Sequence, residues 1–122
     1  NKSRDYKYSG SKKNIDEVAW YQANSKNKTH PVGQKKPNEL GIYDMSGNVL
    51  EWCGDWYSKT FYYATYFSTK NNCKGPDNGR YRVLRGGSWK SSNEQCRVSY
   101  RSYNLPSNWN NKSGFRFLRP VK

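Results

Sequence analysis

Few residues of this sequence could carry out covalent or metal chemistry. The three cysteines, at positions 53, 73 and 96, form no C-x-x-C pair and so match no zinc-site spacing. One disulfide with one free thiol and full reduction are both compatible with them. His30 is the single histidine, so we interpret it as an ordinary turn residue, and no Ser-His-Asp triad can be assembled around it. Phosphate-binding glycine loops are also absent from the sequence.

Two of the nine acidic residues flank a tight turn. Asp44 and Glu51 stand on either side of Ser46-Gly47-Asn48. Calcium prefers oxygen ligands, with carboxylates and backbone carbonyls mixed. A chain wrapped around this turn can direct both carboxylates at one centre. The alternative is that the two acids pair with nearby arginines or cap turns.

The elements that must position these residues are short strands and long loops, because no long helical period occurs. Residues 39–57 are predicted to form a loop, a turn and a short strand. Residues 81–89 alternate in polarity, which predicts a strand that ends at a Gly-Gly bend, and residues 114–119 predict a closing strand. Residues 14–21 form a short apolar patch, either a turn of helix or a buried edge.

The apolar content of the chain is mostly aromatic. Aromatic residues make up 16% of the 122 residues and all hydrophobic residues only 33%. Such rings suit surfaces that bind as well as pack. Trp20, Trp52 and Trp56 have aliphatic neighbours in the sequence, so we predict that they belong to the core.

The net charge of +13 favours anionic partners. The lysines are scattered without a five-residue basic run, which is more typical of a solubilising face than of a nucleic-acid site. No stretch approaches the ~20 apolar residues of a membrane span. The length fits one domain.

Three motifs resemble those of one known family. Residues 37–57, PNELGIYDMSGNVLEWCGDWY, are similar to the signature of formylglycine-generating-enzyme (sulfatase-modifying factor) domains. RVLRGGSW and GFR resemble the next two signatures of that family, in the same order. The resemblance implies an α+β, C-type-lectin-like fold, rich in loops, with short antiparallel strands and with helices mostly in an N-terminal half. We therefore expect residues 1–122 to form the C-terminal part of one such domain, with that half missing.

The resemblance also implies calcium as a structural cofactor. The matching ligands are the side chains of Asp44 and Glu51 and the carbonyls of Gly47 and Val49. A second, weaker calcium site maps less well, because neutral Asn24 replaces a carboxylate. Its ligands would be the residues Asn14, Ile15, Asn24 and Lys26.

Catalysis of the family type is not expected here. The family enzyme uses two reactive cysteines that bind copper, located shortly after the G-G-S-aromatic motif. Ser91 occupies the first of these positions. The second falls on Cys96 when counted from the Gly-Gly motif and elsewhere when counted back from residues 97–101. On either count the first thiol is absent, so copper is not expected, because copper(I) needs paired thiolates. Cys96 is then either a buried small hydrophobic residue or a disulfide partner of Cys53. The single histidine excludes the iron-dependent sulfoxide synthases, which need several histidine ligands.

Residues 89–113 have the composition of a binding loop. Tyr, Trp, Ser and Asn dominate, which combines rigid rings with adaptable hydrogen-bonding groups. The stretch also resembles the variable region of retroelement-diversified C-type-lectin-like proteins; the alternative is an ordinary polar loop. Arg97, Arg101 and Arg116 are expected to hold the loops together. The predicted ligand contacts are Trp89, Lys90, Ser91, Asn93, Tyr100, Ser102, Tyr103, Asn108, Trp109 and Asn111.

The sequence therefore predicts a non-catalytic module of a bacterial variable protein, extracellular or on the cell surface, that recognises a protein or glycan ligand. One alternative is a sulfatase-modifying enzyme. The other is a basic protein that binds nucleic acid or another anionic polymer, and no nucleic-acid motif supports it.

Overall fold

The structure is a computed structural model that describes residues 5–61 and 75–119. Its regular elements are two 3₁₀ helices, Ile15–Glu17 and Glu94–Cys96, and four strands. The strands are β1 (Leu50–Trp56), β2 (Arg82–Arg85), β3 (Ser102–Asn104) and β4 (Ser113–Gly114). Long loops connect them. In the described part of the chain, no helix has the length and apolar character needed to cross a membrane.

The four strands form one mixed sheet in the order β3-β2-β1-β4. β2 is antiparallel to both of its neighbours, and β4 is parallel to β1. The β1–β2 register pairs Trp52 with Leu84 and then Trp56 with Arg82, so β1 contains an irregularity between its two tryptophans. This irregularity determines which side chains lie opposite each other at the end of the pair where Trp56 faces Arg82.

The predicted elements are found with one exception. A strand follows the turn of residues 39–57, another lies within 81–89, and residues 14–21 contain one 3₁₀ turn. The closing strand predicted for residues 114–119 is wrong, since the pairing ends at Gly114. Phe117 and Leu118 are each 91% exposed, and no described strand lies beside them to accept their backbone hydrogen bonds.

The core is small. Its main cluster joins an N-terminal loop residue to the two 3₁₀ helices and the residues that follow the first of them: Tyr8, Ile15, Val18, Ala19 and Cys96. Val83 and Leu84 of the central strand β2 are also buried. Val83 and Leu84 are consecutive in a strand, so their side chains lie on opposite faces, and β2 is therefore covered on both faces of the sheet.

The prediction that Trp20, Trp52 and Trp56 are core residues is wrong. Trp20, Trp52 and Trp56 are all only partly buried. Trp20 stacks on the ring of His30, with 3.8 Å between centroids, and Lys35 Nζ lies 4.0 Å from the centroid of the Trp20 ring. A tryptophan ring that packs between two polar side chains buries part of its area although the residue stays at the protein surface. His30 thus supports the ring of Trp20 rather than being an ordinary turn residue.

Gly47 and Asn48 join several segments of the fold. The amide of Gly47 donates to Gly86 O at 2.7 Å, and the amide of Asn48 donates to Trp20 O at 2.7 Å. The side chain of Asn48 pairs with both backbone groups of His30, at 3.0 and 3.1 Å. Gly47 has φ +78°, which glycine adopts without strain. The turn between the two acids is therefore a structural anchor.

Candidate functional site

The two acids that flank this turn are held by different partners. Asp44 Oδ2 accepts from the amide of Gly33 at 2.8 Å. Both carboxylate oxygens of Glu51 accept from Arg116 Nε at 2.8 Å. The guanidinium of Arg116 also donates to the carbonyls of Tyr43 and Asp44, each at 3.1 Å. Arg116 therefore holds the loops together, and the hydrogen bond to Glu51 raises the pKa of Arg116 above its ordinary value.

A cleft of about 400 Å³ opens beside this ion pair. It brings together Asp44, Val49 and Glu51 from the predicted calcium set, whereas Gly47 does not line it. In the described ranges, no three His, Cys, Asp or Glu side chains cluster in a metal-binding arrangement. A cation here would therefore need backbone carbonyls as well as the two carboxylates. The donor set is all oxygen, which fits calcium, although Arg116 already balances the charge of Glu51.

The side chains of the second predicted calcium set take part in local hydrogen bonds. Asn14 Oδ1 accepts from the amide of Asp16 at 3.1 Å and caps the first 3₁₀ helix. Asn24 Oδ1 accepts from the amide of Tyr21 at 2.9 Å. The carbonyl of Ile15 accepts from the amides of Val18 and Ala19. The structure thus gives these oxygens a folding role, and calcium at this position stays a prediction.

The positions that would supply thiol chemistry are both buried. Ser91 is 7% exposed, and its hydroxyl accepts from the amide of Ser88 at 2.9 Å. Cys96 is fully buried, and this burial raises the pKa of its thiol to about 12, which the backbone hydrogen bond from Gly47 opposes. At neutral pH Cys96 is therefore a protonated thiol, the poorly reactive form.

The cysteines also correct one prediction. Cys53 and Cys96 are both free, so the proposed disulfide between them is wrong, and Cys96 is the buried small residue of the alternative prediction. Burial raises the pKa of the Cys53 thiol as well. Cys73 lies outside the described residues.

The predicted ligand contacts of residues 89–113 do not all lie on one surface. Ser91 is set apart by its burial. Trp89 Nε1 donates to Asn111 O at 3.2 Å, which joins the two ends of the loop region. Trp109 is 93% exposed, the largest exposed fraction among the large hydrophobic residues described. The remaining contacts that are largely exposed are Lys90, Asn93, Tyr100, Tyr103, Asn108 and Asn111, and Ser102 is half-buried in β3.

Tyr103 belongs to an aromatic cluster that sequence reasoning missed. Its ring stacks on Tyr57 with 4.1 Å between centroids and meets the edge of Tyr81 at 5.1 Å. The guanidinium of Arg101 lies 5.5 Å from the Tyr57 centroid, and that of Arg82 lies 3.5 Å from the Trp56 centroid. Tyr57 follows β1, Tyr81 precedes β2 and Tyr103 lies on β3, so the rings meet only because the three strands pair in this register.

A second cleft, of about 430 Å³, borders this cluster through Tyr57. Its other walls come from the second 3₁₀ helix and the segment that follows it. Arg97 Nη1 pairs with Glu94 Oε2 at 3.1 Å, and Lys7 Nζ pairs with Glu94 Oε1 at 3.4 Å. The residues that line the cleft are Tyr57, Glu94, Arg97, Ser99, Tyr100 and Arg101.

Sequence comparison assigns this arrangement to a family. The profile of the "Sulfatase-modifying factor enzyme 1-like domain" matches residues 1–121. The chain belongs to the sulfatase-modifying factor family. Its α+β, C-type-lectin-like fold is the one expected for members of this family.

Three relatives illustrate how diverse the family is. The chain is 46% identical over 94 residues to "Serine/threonine-protein kinase Pkn1" of Chlamydia trachomatis serovar L2, an alignment that covers 77% of this chain and 15% of that protein. It is 42% identical over 91 residues to a "Formylglycine-generating enzyme" of Streptomyces coelicolor, covering 72% and 28%. The solved structure of Treponema denticola variable protein 1 superimposes with a TM-score of 0.77 at 40% identity, covering 89% of this chain and 39% of that one. The chain thus spans less than half the length of each of these proteins.

Proposed function

We propose that the chain is a non-catalytic, ligand-binding module of the sulfatase-modifying factor family. The observation that carries this proposal is the state of the two positions where the family enzyme has its reactive cysteines. One is a buried serine, and the other candidate, Cys96, is a buried thiol with a pKa of about 12. Such a pair cannot provide the two thiolates that copper(I) needs.

The exposed part of residues 89–113 supports a binding role. Trp109 and Tyr103 are 93% and 49% exposed, and neutral Asn and Ser side chains surround them in the sequence. Rigid rings beside small polar groups are typical of loops that recognise proteins or glycans. The 40% identity to Treponema denticola variable protein 1 supports a further element of the proposal, that residues 89–113 are a diversified loop region. We place the module outside the cell or on the cell surface, where such a loop would meet its ligands.

The rival function, formylglycine generation, has a direct test. We expect no aldehyde when the protein is incubated with copper, oxygen and a peptide that contains C-x-P-x-R, because Ser91 has no thiol and Cys96 is protonated. Mass spectrometry of the peptide measures the product, and the Streptomyces coelicolor enzyme is the positive control. Aldehyde formed by this protein above the level of a Cys96→Ala variant would contradict the proposal.

The proposal includes one structural calcium ion at the cleft beside the motif turn. Asp44 and Glu51 would hold it, with the carbonyls of Gly47 and Val49, and its charge would stabilise this all-oxygen cluster. We expect calcium added to EDTA-treated protein to release or absorb heat in calorimetry and to raise the melting temperature. At a concentration of 100 times Kd, a ligand specific for the native state adds about 2.7 kcal/mol of stability.

A conservative variant isolates the contribution of the carboxylate. Asp44→Asn keeps an oxygen that can accept from the amide of Gly33, and Asn tolerates the positive φ of +57° at this position. We therefore expect this variant to fold and to lose most of the calcium effect. Asn14→Ala tests the second set, and its melting temperature without calcium is measured as well, because the change also removes the cap of the first 3₁₀ helix. Neither heat nor a melting shift in the unmodified protein would rule out both sites.

A further inference from the structure

The segment that follows β4 carries large apolar side chains at the surface. Phe115 and Phe117 are 70% and 91% exposed. Their rings meet edge to face with 5.4 Å between centroids, so they lie on the same side of the segment. Val32, which is 80% exposed, and the half-exposed Tyr43 line the same cleft as Phe115. These four residues, Val32, Tyr43, Phe115 and Phe117, form what we call the apolar face.

The backbone of the same segment has no partner among the described residues. β4 is the last strand of the sheet and pairs with β1 on one edge only. Residues 115–119 make no backbone hydrogen bond to another described segment. Between the two phenylalanines, Arg116 forms the ion pair with Glu51, which matches the alternation of a strand. An unpaired, apolar strand edge is a ready template for a further strand.

Two solved relatives contain additional polypeptide that could cover this face. The chain covers 39% of Treponema denticola variable protein 1, with a TM-score of 0.77, and 38% of PvdO from Pseudomonas aeruginosa, with a TM-score of 0.69. More than half of each of those chains therefore lies outside the shared fold. Adjacent exposed apolar residues are typical of an interaction surface, and a strand with apolar side chains would bury the rings and pair the backbone together.

We propose that the apolar face is an interface for the part of the domain that these longer relatives add to the shared fold, and that a strand of that part pairs with residues 115–119. This inference goes beyond the proposed function and does not rest on it. It explains why GFRFLR has the alternation of a strand although the observed pairing ends at Gly114. Because Glu51 and Arg116 line the same cleft as the apolar face, such a cover would also shield their ion pair from water.

A second copy of the chain fits the apolar face less well. Each copy has a net charge of +13, so two copies repel each other at close approach. Sedimentation of the chain alone tests this occupant. A dimer that Phe115→Asp with Phe117→Asp dissociates would assign the face to a second copy and would overturn the proposal.

Paired stability measurements test the location of the interface. Phe115→Asp with Phe117→Asp is made in this chain and in a chimera in which the chain replaces its counterpart in Treponema denticola variable protein 1. Because the rings are exposed in the chain alone, we expect its melting temperature to change by less than about 3 °C. In the chimera the two carboxylates would be buried, and a fall of at least about 10 °C is expected. Equal shifts in the two contexts would contradict the proposal.

Trp109→Asp is the matched control for this test. Trp109 is 93% exposed, like the ring of Phe117, but it lies in the loop region 89–113 and not on the apolar face. We therefore expect a shift of less than about 3 °C in the chain and in the chimera alike. If this control lowers the melting temperature of the chimera as much as the double variant does, the apolar face is not the specific interface.

Hydrogen exchange tests the strand pairing separately. The amides of residues 115–119 are expected to exchange at least about 100-fold more slowly in the chimera than in the chain alone, because they would be hydrogen-bonded. Unchanged exchange would show that no strand pairs there. If the chimera does not fold, the chain is co-expressed with the unmatched part of the Treponema protein as a separate polypeptide. Co-purification that the double aspartate variant abolishes then supports the proposal, and a lack of co-purification contradicts it.

These outcomes are independent of the proposed ligand-binding function. That function is tested through Trp109 and Tyr103, which lie outside the apolar face. A failure of the interface therefore leaves the ligand-binding function standing, and a failure of ligand binding leaves the interface standing.

Discussion

Replacing Gly47 with alanine is expected to destabilise the protein by about 4 kcal/mol or more, out of the 5–15 kcal/mol typical of a domain. A Cβ at this position would lie 2.4 Å from Trp20 O, 2.8 Å from Trp20 N and 2.9 Å from Ala19 Cβ. Two of these atoms belong to the backbone, which cannot move aside as a flexible side chain can. The φ of +78° adds the strain that an L side chain has in this region.

The same change would also disturb the hydrogen bonds that the turn makes. The amides of Gly47 and Asn48 donate to Gly86 and Trp20, so a shift of this backbone affects the approach of two segments. Thermal or urea unfolding measures the loss, expected as a fall in melting temperature of at least about 10 °C. After a fall of that size, little of the variant would be folded at the melting temperature of the unmodified protein.

Gly41→Ala is the matched control for this prediction. Gly41 has φ +75°, nearly the value of Gly47, but a Cβ there would meet no atom within 4 Å. The control therefore measures the strain of positive φ alone, about 1–2 kcal/mol. If Gly47→Ala is no more destabilising than Gly41→Ala, close packing of the turn against Trp20 is not what anchors the fold.

Removing two rings of the loop region is expected to cost more than about 100-fold in ligand affinity. Trp109 is 93% exposed in the free protein, so its truncation leaves the fold intact and removes only area that a ligand would cover. Tyr103 is 49% exposed and adds a second ring. Aromatic residues at the centre of an interface commonly contribute about 2 kcal/mol or more each. The double variant Trp109→Ala, Tyr103→Ala is screened against the glycans and proteins that unmodified protein captures on a binding array.

Two controls distinguish a loss of ligand recognition from a loss of protein stability and from a loss of nonspecific apolar binding. Tyr103 stacks on Tyr57, so the melting temperature of each variant is measured, and Tyr103→Phe keeps the ring while removing the hydroxyl. Leu40→Ala with Phe117→Ala removes apolar side chains of 76% and 91% exposure that lie outside residues 89–113. Affinity that falls equally with this control pair, or that survives the loss of Trp109 and Tyr103, would show that the loop region is not the recognition surface.

Local patterns predicted the turn and two of the strands for physical reasons that operate at short range. Alternation around Arg82–Arg85 matches the period of a strand, and the following Gly-Gly pair marks a bend that only residues without a Cβ accommodate easily. Asp44 and Glu51 line one cleft, and the calcium site predicted for them stays a prediction. Which of the expected arginines pairs with Glu51 was not predictable, because Arg116 is far away in the sequence and its position depends on the fold.

The errors also have identifiable causes. Aliphatic neighbours suggested that Trp20 is a core residue, but its ring packs against His30 and Lys35, and the sequence alone does not show that these residues lie beside it. The alternation of residues 114–119 predicted a strand, yet a strand needs a neighbour for its hydrogen bonds, and none of the described strands extends beside residues 115–119. The disulfide between Cys53 and Cys96 was inferred from residue type alone, because the sequence gives no distance between the two cysteines.

The sequence by itself determined the family, the fold class and the serine at position 91, because motifs, turn glycines and the identity of one residue are local facts. The tertiary structure alone decided that Cys96 is buried and protonated, that Tyr57, Tyr81 and Tyr103 meet, and that Arg97 and Arg101 share a cleft with Tyr57. These are relations between segments that are distant in the chain. Burial, pKa and charge density depend on such neighbours, which strand register and loop packing bring together.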